Sequence, residues 1–429
     1  MSLLCASRTT HIQVRTAAMN KRPQFQTWIL LLVIAGVVAL TGWWGAAQLR
    51  DTLQGTLRAE LETTLRANGT ALEIWITNQA RLATSLASEP TLRSRALDLL
   101  NVGPGGPSAE RSQARPNGDD FGRYLQTRLA AIGYDGILVN SNLVVMAASG
   151  RGRGRAGKPV LDEHRSKFAE LFATGQPVMI IPFRPPAAAR PRFERSEWGR
   201  AGRGPPQWAG GGPPSWAGTG PSADLLLMQV AAPIHDEAGV VRGALALVID
   251  PEREFTRVLS ATRLGKSGET YAFDQTGLMI SRSRFDEQLK QLGLLNNQPG
   301  VSSVLNLRLT DPGGNLAPGV PGDATALERP LIRLVAAAVG GGAGVDVSPS
   351  RDYRGVPVVG AWRWLENFGF GLATQQDATE AYQPLRELRR LFLALVLLLV
   401  LAAGGLVLFS QAHVVLRRRL DEAELKARE

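Results

Sequence analysis

Two long apolar runs dominate the distribution of apolar and polar positions along the chain. Residues 391–410, LFLALVLLLVLAAGGLVLFS, carry no charge, and a helix of about 20 such residues crosses the hydrocarbon core of a bilayer. A core helix of this length in a soluble domain normally keeps a polar face, which this run lacks. The run therefore predicts a transmembrane helix, and residues 28–47 predict another.

Basic residues beside the two runs predict how the chain crosses the membrane. Arg8, Arg15, Lys21 and Arg22 precede the first run and place its N-terminus in the cytoplasm by the positive-inside rule. A second span returns the chain to the same side, where residues 417–419 are all arginine. We therefore expect a two-pass protein of a bacterial inner membrane, with both termini cytoplasmic and the large central region outside.

The first run has a second interpretation as a cleaved signal peptide, because the small residues Gly45, Ala46 and Ala47 end it. The run is long for a signal peptide, and a helical pattern continues beyond it, which favours an uncleaved anchor. Residues 1–18 show no apolar repeat, and Met19 precedes Asn-Lys-Arg and the apolar run. This arrangement favours Met19 over Met1 as the start.

After the first apolar run, the spacing of apolar residues predicts a stalk helix and then a mixed α+β region. Leucines recur every fourth residue from Leu49 to Leu65, and no proline interrupts the helix before Pro90, although Gly55 and Gly69 lie within it. Beyond the stalk, the order of strand hairpins and helices repeats once. We expect strands at residues 136–140, 143–148, 225–232, 240–249, 269–274, 278–281, 356–364 and 370–375, with helices at 119–132, 250–263, 327–339 and from 378 onwards.

Charge and cysteine content argue against several functions. The formal net charge is +10, but the arginines cluster beside the spans and in a Gly/Pro-rich segment, so no nucleic-acid partner is expected. Cys5 is the only cysteine, which allows no intramolecular disulfide and fits a bacterial envelope. The histidines are not paired at metal-ligand spacing, and no metal or cofactor is expected: His11, His164, His235 and His413.

Two segments are rich in glycine and arginine. Residues 184–222 also carry proline and tryptophan and predict a disordered insertion, because their low apolar content cannot offset chain entropy. Residues 150–159, GRGRGRAGKP, match part of a phosphate-binding loop, but Pro159 stands where a magnesium-binding hydroxyl is required. Since no nucleophile has a recognisable base partner either, we expect no enzymatic activity.

Four sequence blocks between the spans carry a family resemblance: GYDGILVNSNLVVMAAS, GALALVIDPEREF, GKSGETYAFDQTGLMISRSRF and DYRGVPVVGAWRWL with FGFGLATQQDATEAY. They resemble the double-Cache (dCache) sensor regions of bacterial histidine kinases, chemoreceptors, cyclases and Ser/Thr kinases. The resemblance covers most of residues 50–382 apart from the insertion. It implies an α+β fold of two stacked PAS-like modules on a long stalk helix, with a small-molecule site.

The resemblance and the two runs together divide the chain into segments. They are a cytoplasmic tail (1–27), a transmembrane helix (28–48), a stalk helix (49–100), a membrane-distal Cache module (101–250) that contains the insertion, a membrane-proximal Cache module (251–376), a connecting helix (377–390), a second transmembrane helix (391–413) and the start of a cytoplasmic signalling helix (414–429).

Polar and aromatic residues at strand ends are the predicted ligand contacts. Aromatic residues on strands more often belong to a core, and Arg282 and Arg284 alternate with serines as on a solvated face. The predicted contacts are Tyr134, Asp135, Asn140, Met228 and Asp250 in the distal module, and Tyr271, Arg282, Arg284, Tyr353, Trp362 and Trp364 in the proximal module.

One subset of dCache sensors binds amino acids through an Arg-x-Trp-Tyr motif and a later aspartate that takes the amino group. Asp250 matches that aspartate by its position after GALALVI. The distal module contains no Arg-x-Trp-Tyr, which argues against amino-acid recognition.

The last residues predict a signalling helix. Leu416, Leu420, Ala423 and Ala427 follow the spacing of a coiled coil. We therefore expect a homodimeric sensor that binds a small extracytoplasmic ligand and signals through the second span, to an output domain missing from this sequence or to a separate cytoplasmic partner. The alternative is a membrane-anchored envelope scaffold that acts through residues 184–222.

Overall fold

The computed structural model describes residues 22–101, 118–186, 225–298, 300–314, 316 and 329–428. Contacts divide the chain into two units. The first unit is Met1–Leu53 with Tyr382–Glu429, and the second is Gln54–Ala381. The predicted insertion lies outside the described residues from position 187 onwards.

The described helices and strands are numbered here in chain order. The helices are α1 (Arg22–Ser88), α2 (Pro90–Asn101), α3 (Gly118–Ala130), α4 (Arg165–Thr174), α5 (Thr256–Leu259), α6 (Asp286–Gln291), α7 (Arg333–Val339), α8 (Ala378–Ala381) and α9 (Gln383–Arg428). The strands are β1 (Asp135–Asn140), β2 (Val145–Ala148), β3 (Val178–Phe183), β4 (Leu227–His235), β5 (Val241–Ile249), β6 (Glu269–Phe273), β7 (Ala343–Arg351), β8 (Pro357–Leu365) and β9 (Phe370–Asp377).

The first unit pairs the N-terminal part of α1 with α9. Among the described residues, one helix is long and apolar enough to cross a membrane: Gln383–Ala427, with a mean hydropathy of 3.0 in an unburied window of 18 residues. Gly42 of α1 lies so close to Phe392 of α9 that an added Cβ would stand 1.9 Å from the ring. The two helices are therefore in direct contact within this unit.

The first sheet of the second unit is antiparallel, with strand order β2-β1-β5-β4-β3. Helix α3 packs on one face, where a Cβ on Gly136 would meet Leu129 at 2.6 Å. Successive side chains of a strand alternate between faces, so Ile137 and Val139 point away from Gly136. They join an apolar core on the other face, next to Phe168 of α4.

The second sheet is also antiparallel, with strand order β6-β9-β8-β7. Helix α1 contacts one face, where the Asn68 side chain donates to Thr270 Oγ1 at 2.8 Å. The opposite face holds a second apolar core that includes Tyr271, Phe273 and, from α7, Val335. Both sheets thus bury each face against other elements.

The structure confirms the α+β class, the long N-terminal helix and three of the predicted hairpins, β1–β2, β4–β5 and β8–β9. The predicted stalk helix is not continuous. It breaks between Ser88 and Pro90, because proline lacks the N–H that a helix interior needs and is suited to a first helical position.

Other element boundaries differ from the predictions. Strands β3 and β7 and helix α4 were not predicted, and α7 begins at Arg333 rather than at position 327. The predicted strand at residues 278–281 makes only isolated bridges, such as Phe273 with Met279.

Candidate functional site

A cleft lies on the face of the first sheet that is turned away from α3; we call it the first-sheet cleft. It holds about 360 Å³ of empty space including its mouth, of which about 20 Å³ can contain the centre of a water molecule. A ligand larger than water therefore requires wall side chains to move. The walls are Ile137, Val139, Val145, Arg155, Val160, Leu161, His164, Phe168, Phe183, Pro185, Leu227 and Gln229.

Strand geometry places one amide among the apolar residues of this cleft. Leu227 and Gln229 of β4 are two residues apart and therefore share a face. Gln229 is 7% exposed, and its side chain has no hydrogen-bond partner among the described residues. Its amide atoms are not among the fully enclosed unpaired polar atoms of the described residues, so they can be reached from the cleft, where a polar group of a ligand can form a hydrogen bond with them.

Arg155 provides the positive charge of the first-sheet cleft. It ends a 3₁₀ turn, Gly150–Arg155, and its guanidinium donates to the carbonyl oxygen of Pro159. Burial lowers the pKa of Arg155, but an arginine remains protonated at neutral pH. The residues that resemble a phosphate-binding loop thus position a cation at the cleft.

His164 contributes a neutral imidazole to the same cleft. Burial, and to a lesser extent the charge of Arg155, lowers the pKa of His164 to about 4. The Glu163 carboxylate lies 3.4 Å from Nε2, but its solvent exposure screens it too well to offset the burial. The imidazole packs edge-on against Phe183, with ring centroids 4.3 Å apart.

These three polar groups favour a particular ligand chemistry. The described wall of the cleft contains no carboxylate, so a ligand ammonium would have no charged partner there. A cation, an amide and a neutral imidazole instead suit an anionic or neutral polar group on an apolar body.

The structure uses Tyr134 and Asp135 in hydrogen bonds outside the cleft wall. The Tyr134 hydroxyl donates to Glu254 at 2.9 Å, and burial together with this carboxylate raises the pKa of Tyr134 to about 12. Asp135 is buried and accepts from Arg151 Nε at 2.8 Å.

The other three predicted contacts of the first sheet also lie outside this wall. Asn140 closes the β1–β2 turn by accepting from the Val144 amide at 2.8 Å. Met228 is fully buried in β4. Asp250 caps the turn after β5 by accepting from the Glu252 amide at 3.0 Å.

Three of the predicted contacts of the second sheet belong to a buried hydrogen-bond network, which we call the second-sheet network. It consists of Glu269, Tyr271, Ser283, Arg284, Asp352, Tyr353, Arg354 and Gln375. The Glu269 carboxylate accepts from Ser283 Oγ at 2.6 Å, from the Arg284 amide at 2.8 Å and from the Tyr353 hydroxyl at 2.5 Å. Burial raises the pKa of Glu269 despite these donors. The Tyr271 hydroxyl donates to Gln375 at 3.0 Å.

An ion pair extends this network. Arg354 donates to Asp352 and to Asp377, at 2.7 Å each, and its guanidinium lies 3.8 Å above the Phe285 ring. Gln375 also donates to Asp352 at 3.2 Å. The polar groups on this side of the second sheet therefore satisfy one another.

The remaining predicted contacts lie around the second core. Trp362 and Trp364 are half-buried and pack against it. Arg282 and Arg284 are both exposed, in agreement with a solvated face, and Arg282 pairs with Asp286 at 2.8 Å. The structure thus brings Tyr271, Tyr353 and both tryptophans to one core.

Sequence reasoning did not select the residues of the first-sheet cleft. In the sequence, Arg155 lies in a glycine-rich loop and His164 has no metal-binding partner, and neither pattern indicates a cleft. Gln229 was the available signal, because it interrupts the apolar side of β4 two residues after Leu227. Among the described residues, no group of three His, Cys, Asp or Glu side chains is placed to hold a metal ion.

No family model matches the chain. No curated protein matches it either. Among solved structures, it is similar to the ligand-binding domain of the Campylobacter jejuni chemoreceptor Tlp3 in complex with 4-methylisoleucine, with 11% identity over 77% of this chain and 94% of that chain and a TM-score of 0.39. It is also similar to the ligand-binding domain of the Pseudomonas aeruginosa PAO1 amino acid chemoreceptor PctB in complex with L-Gln (11% identity, 75% and 92% covered, TM-score 0.40). A third similar structure is the sensor domain of the V. cholerae histidine kinase DctB (12% identity, 77% and 98% covered, TM-score 0.40).

Proposed function

We propose that this chain is a transmembrane sensor that binds a small molecule in the first-sheet cleft. The observation that carries this proposal is the Gln229 amide, which lines the cleft without a hydrogen-bond partner among the described residues. Apolar walls with a few convergent polar groups are typical of small-molecule sites.

The proposed ligand has an apolar body and an anionic or neutral polar group. Arg155 and Gln229 would hold that group, and the apolar wall would bury the rest. Asp250, which the resemblance matched to an amino-group ligand, already accepts backbone hydrogen bonds. The other contacts predicted from the sequence stay predictions, of which Trp362 and Trp364 are the most accessible in the second core.

The proposed architecture is two PAS-like modules, residues 101–250 and 251–376, between transmembrane helices at 28–48 and 391–413. The two antiparallel sheets support the modules. The apolar helix α9 and the contact between Gly42 and Phe392 support a pair of spans. The remaining boundaries are those predicted from the sequence.

We further propose that the protein works as a homodimer in which ligand binding shifts the populations of two arrangements of the spans. A cytoplasmic output domain or partner would read this shift. Single cysteines along residues 391–410, in a Cys5→Ser background, should cross-link differently with and without ligand. Identical cross-linking patterns would exclude the motion.

A thermal-shift screen of the full chain in lipid nanodiscs tests the ligand proposal. Amino acids, organic acids, amines and purines are compared, and a ligand at 100 times its Kd should add about 2.7 kcal/mol to the stability. Gln229→Leu should remove most of the shift, whereas Gln288→Leu, an exposed change in α6, should preserve it.

Two outcomes of this screen contradict the proposal. A ligand whose shift is the same in Gln229→Leu binds elsewhere. A flat screen on a cooperatively unfolding protein favours the envelope scaffold, whose partner should be lost on deletion of residues 184–222.

A further inference from the structure

A second cleft lies where the stalk breaks; we call it the stalk-break cleft. Helix α1 ends at Ser88 and α2 begins at Pro90. The end of α1, the start of α2, the turn between α4 and β3 and the end of β4 enclose a volume of about 290 Å³. This volume is close to the lower end of the range for small-molecule sites, and it is separate from the first-sheet cleft.

Two nitrogen-bearing side chains line the stalk-break cleft without a partner among the residues that the structure describes. Arg93 of α2 and His235 at the end of β4 are both half-buried in its wall. Neither side chain makes a hydrogen bond or an ion pair with any residue that the structure describes. A guanidinium presents a planar fork of donors that matches a carboxylate.

The acidic residues next to these two side chains are already engaged elsewhere. Glu89, in the break itself, pairs with Arg128 at 2.5 Å. Asp236, which follows His235, pairs with Arg242 at 2.7 Å. The positive charge of Arg93 is therefore not neutralised by the carboxylates adjacent to the cleft in sequence.

The rest of the stalk-break cleft suits a short apolar group. Ala87, Pro177 and Pro233 present apolar surface. Gly175 has a φ of +65°, a conformation that favours glycine, and it adds no side chain to this wall. We propose that the stalk-break cleft binds a small organic carboxylate, with its carboxylate on Arg93 and its apolar body against the alanine and prolines.

Such a ligand would contact the elements on both sides of the break. It would bridge α1 and α2 to the end of β4, and so bias the angle at the interruption of the stalk. The two clefts share no lining residue, so this second input has a site of its own.

Butyrate is the probe that tests this site, and butyramide is its neutral counterpart. Both are titrated into the full chain in nanodiscs and followed by saturation-transfer NMR. Butyrate should bind saturably and at least tenfold more tightly than butyramide. Arg93→Leu should weaken butyrate at least tenfold, and Arg93→Lys should weaken it less, because lysine keeps the charge without the fork.

The control arginine is Arg95, two positions further along α2, which lies over the Tyr124 ring at 4.5 Å. Arg95→Leu should leave butyrate binding unchanged. Gln229→Leu should also leave it unchanged, which separates this inference from the proposed sensor site. Thermal unfolding of each variant shows that it is folded.

Three results would overturn the inference: no saturable binding of butyrate, equal binding of butyramide, or unchanged binding in folded Arg93→Leu. If Gln229→Leu abolishes binding and Arg93→Leu does not, butyrate occupies the first-sheet cleft instead. That result would leave the proposed sensor function intact.

Discussion

Two polar sites of the second unit, the second-sheet network and the first-sheet cleft, differ in how their polar side chains are paired. On the second sheet, the Glu269 carboxylate accepts three hydrogen bonds, and the Arg354 guanidinium donates to two carboxylates. On the first sheet, Gln229 faces a cleft without a partner among the described residues, beside a cation and a neutral imidazole. Satisfied buried polar groups hold a fold together, whereas unsatisfied ones are available to a ligand.

The largest expected effect comes from breaking the second-sheet network. Glu269→Ala should lower the free energy of unfolding by about 3 kcal/mol or more, because Ser283, Tyr353 and the Arg284 amide lose their acceptor in a buried site. Thermal and denaturant unfolding of the full chain measure this.

Glu269→Gln is the matched control, since it keeps the shape of the side chain and one acceptor oxygen. It should destabilise the protein less than Glu269→Ala. Equal, small effects of both variants would show that the network is not what distinguishes the second sheet.

On the first sheet, His164 should make the free energy of unfolding depend on pH. The pKa of His164 in the folded state, about 4, lies below its value of about 6.5 in the unfolded state. As the pH falls, the unfolded state is therefore protonated at a higher pH than the folded state. His164 should therefore reduce the free energy of unfolding as the pH falls from about 6.5 to 4, by up to about 3 kcal/mol.

The measurement is the difference between wild type and His164→Gln across this pH window. The raised pKa of Glu269 has the opposite effect on the free energy of unfolding, because its stabilising contribution is lost as the pH rises. This contribution is present in both proteins and therefore cancels from the difference between them. A difference that does not change with pH would show that His164 is not buried as described.

A smaller effect on stability is expected at α8, the short helix that follows the last strand of the second sheet. The Glu380 carboxylate accepts from the amides of Lys266 and Ser267 at 2.7 and 2.8 Å. Burial alone would raise the pKa of Glu380, but these hydrogen bonds lower it overall. This contribution to stability is therefore present at neutral pH and lost as the pH falls through the lowered pKa.

Glu380→Ala should destabilise the protein by about 1–2 kcal/mol at neutral pH and speed hydrogen exchange at residues 266–268. Glu366→Ala, an exposed change in the β8–β9 turn, should alter neither. Unchanged exchange in Glu380→Ala would mean that this carboxylate does not hold the loop.

The smallest effect on stability belongs to the first-sheet cleft. Gln229→Leu removes an amide that has no described partner, so the free energy of unfolding should change by less than about 1 kcal/mol in either direction. The same variant should lose ligand binding. A large destabilisation would show that Gln229 has a structural partner and would erase the contrast between the two polar sites.

Local pattern predicted the elements whose apolar residues repeat over a sufficient length. Helix α1, the hairpins β1–β2, β4–β5 and β8–β9 and the apolar part of α9 all have such patterns. Strand β7 escaped prediction because its sequence, AGVDVSPSR, is largely polar, and its position is set by pairing with β8. Edge strands of this kind depend on a neighbour more than on their own residues.

The sequence alone determined the fold class, the apolar stretch of α9 and the resemblance to sensor regions, since each follows from residues close together in the chain. Only the tertiary structure decided which polar residues are satisfied. Glu269 and Tyr353 are 84 positions apart, and Arg155 and Gln229, which are also distant in sequence, line the same cleft. Whether a polar side chain has a hydrogen-bond partner depends on its folded surroundings. No local pattern could therefore distinguish the paired residues of the second-sheet network from the polar residues of the first-sheet cleft.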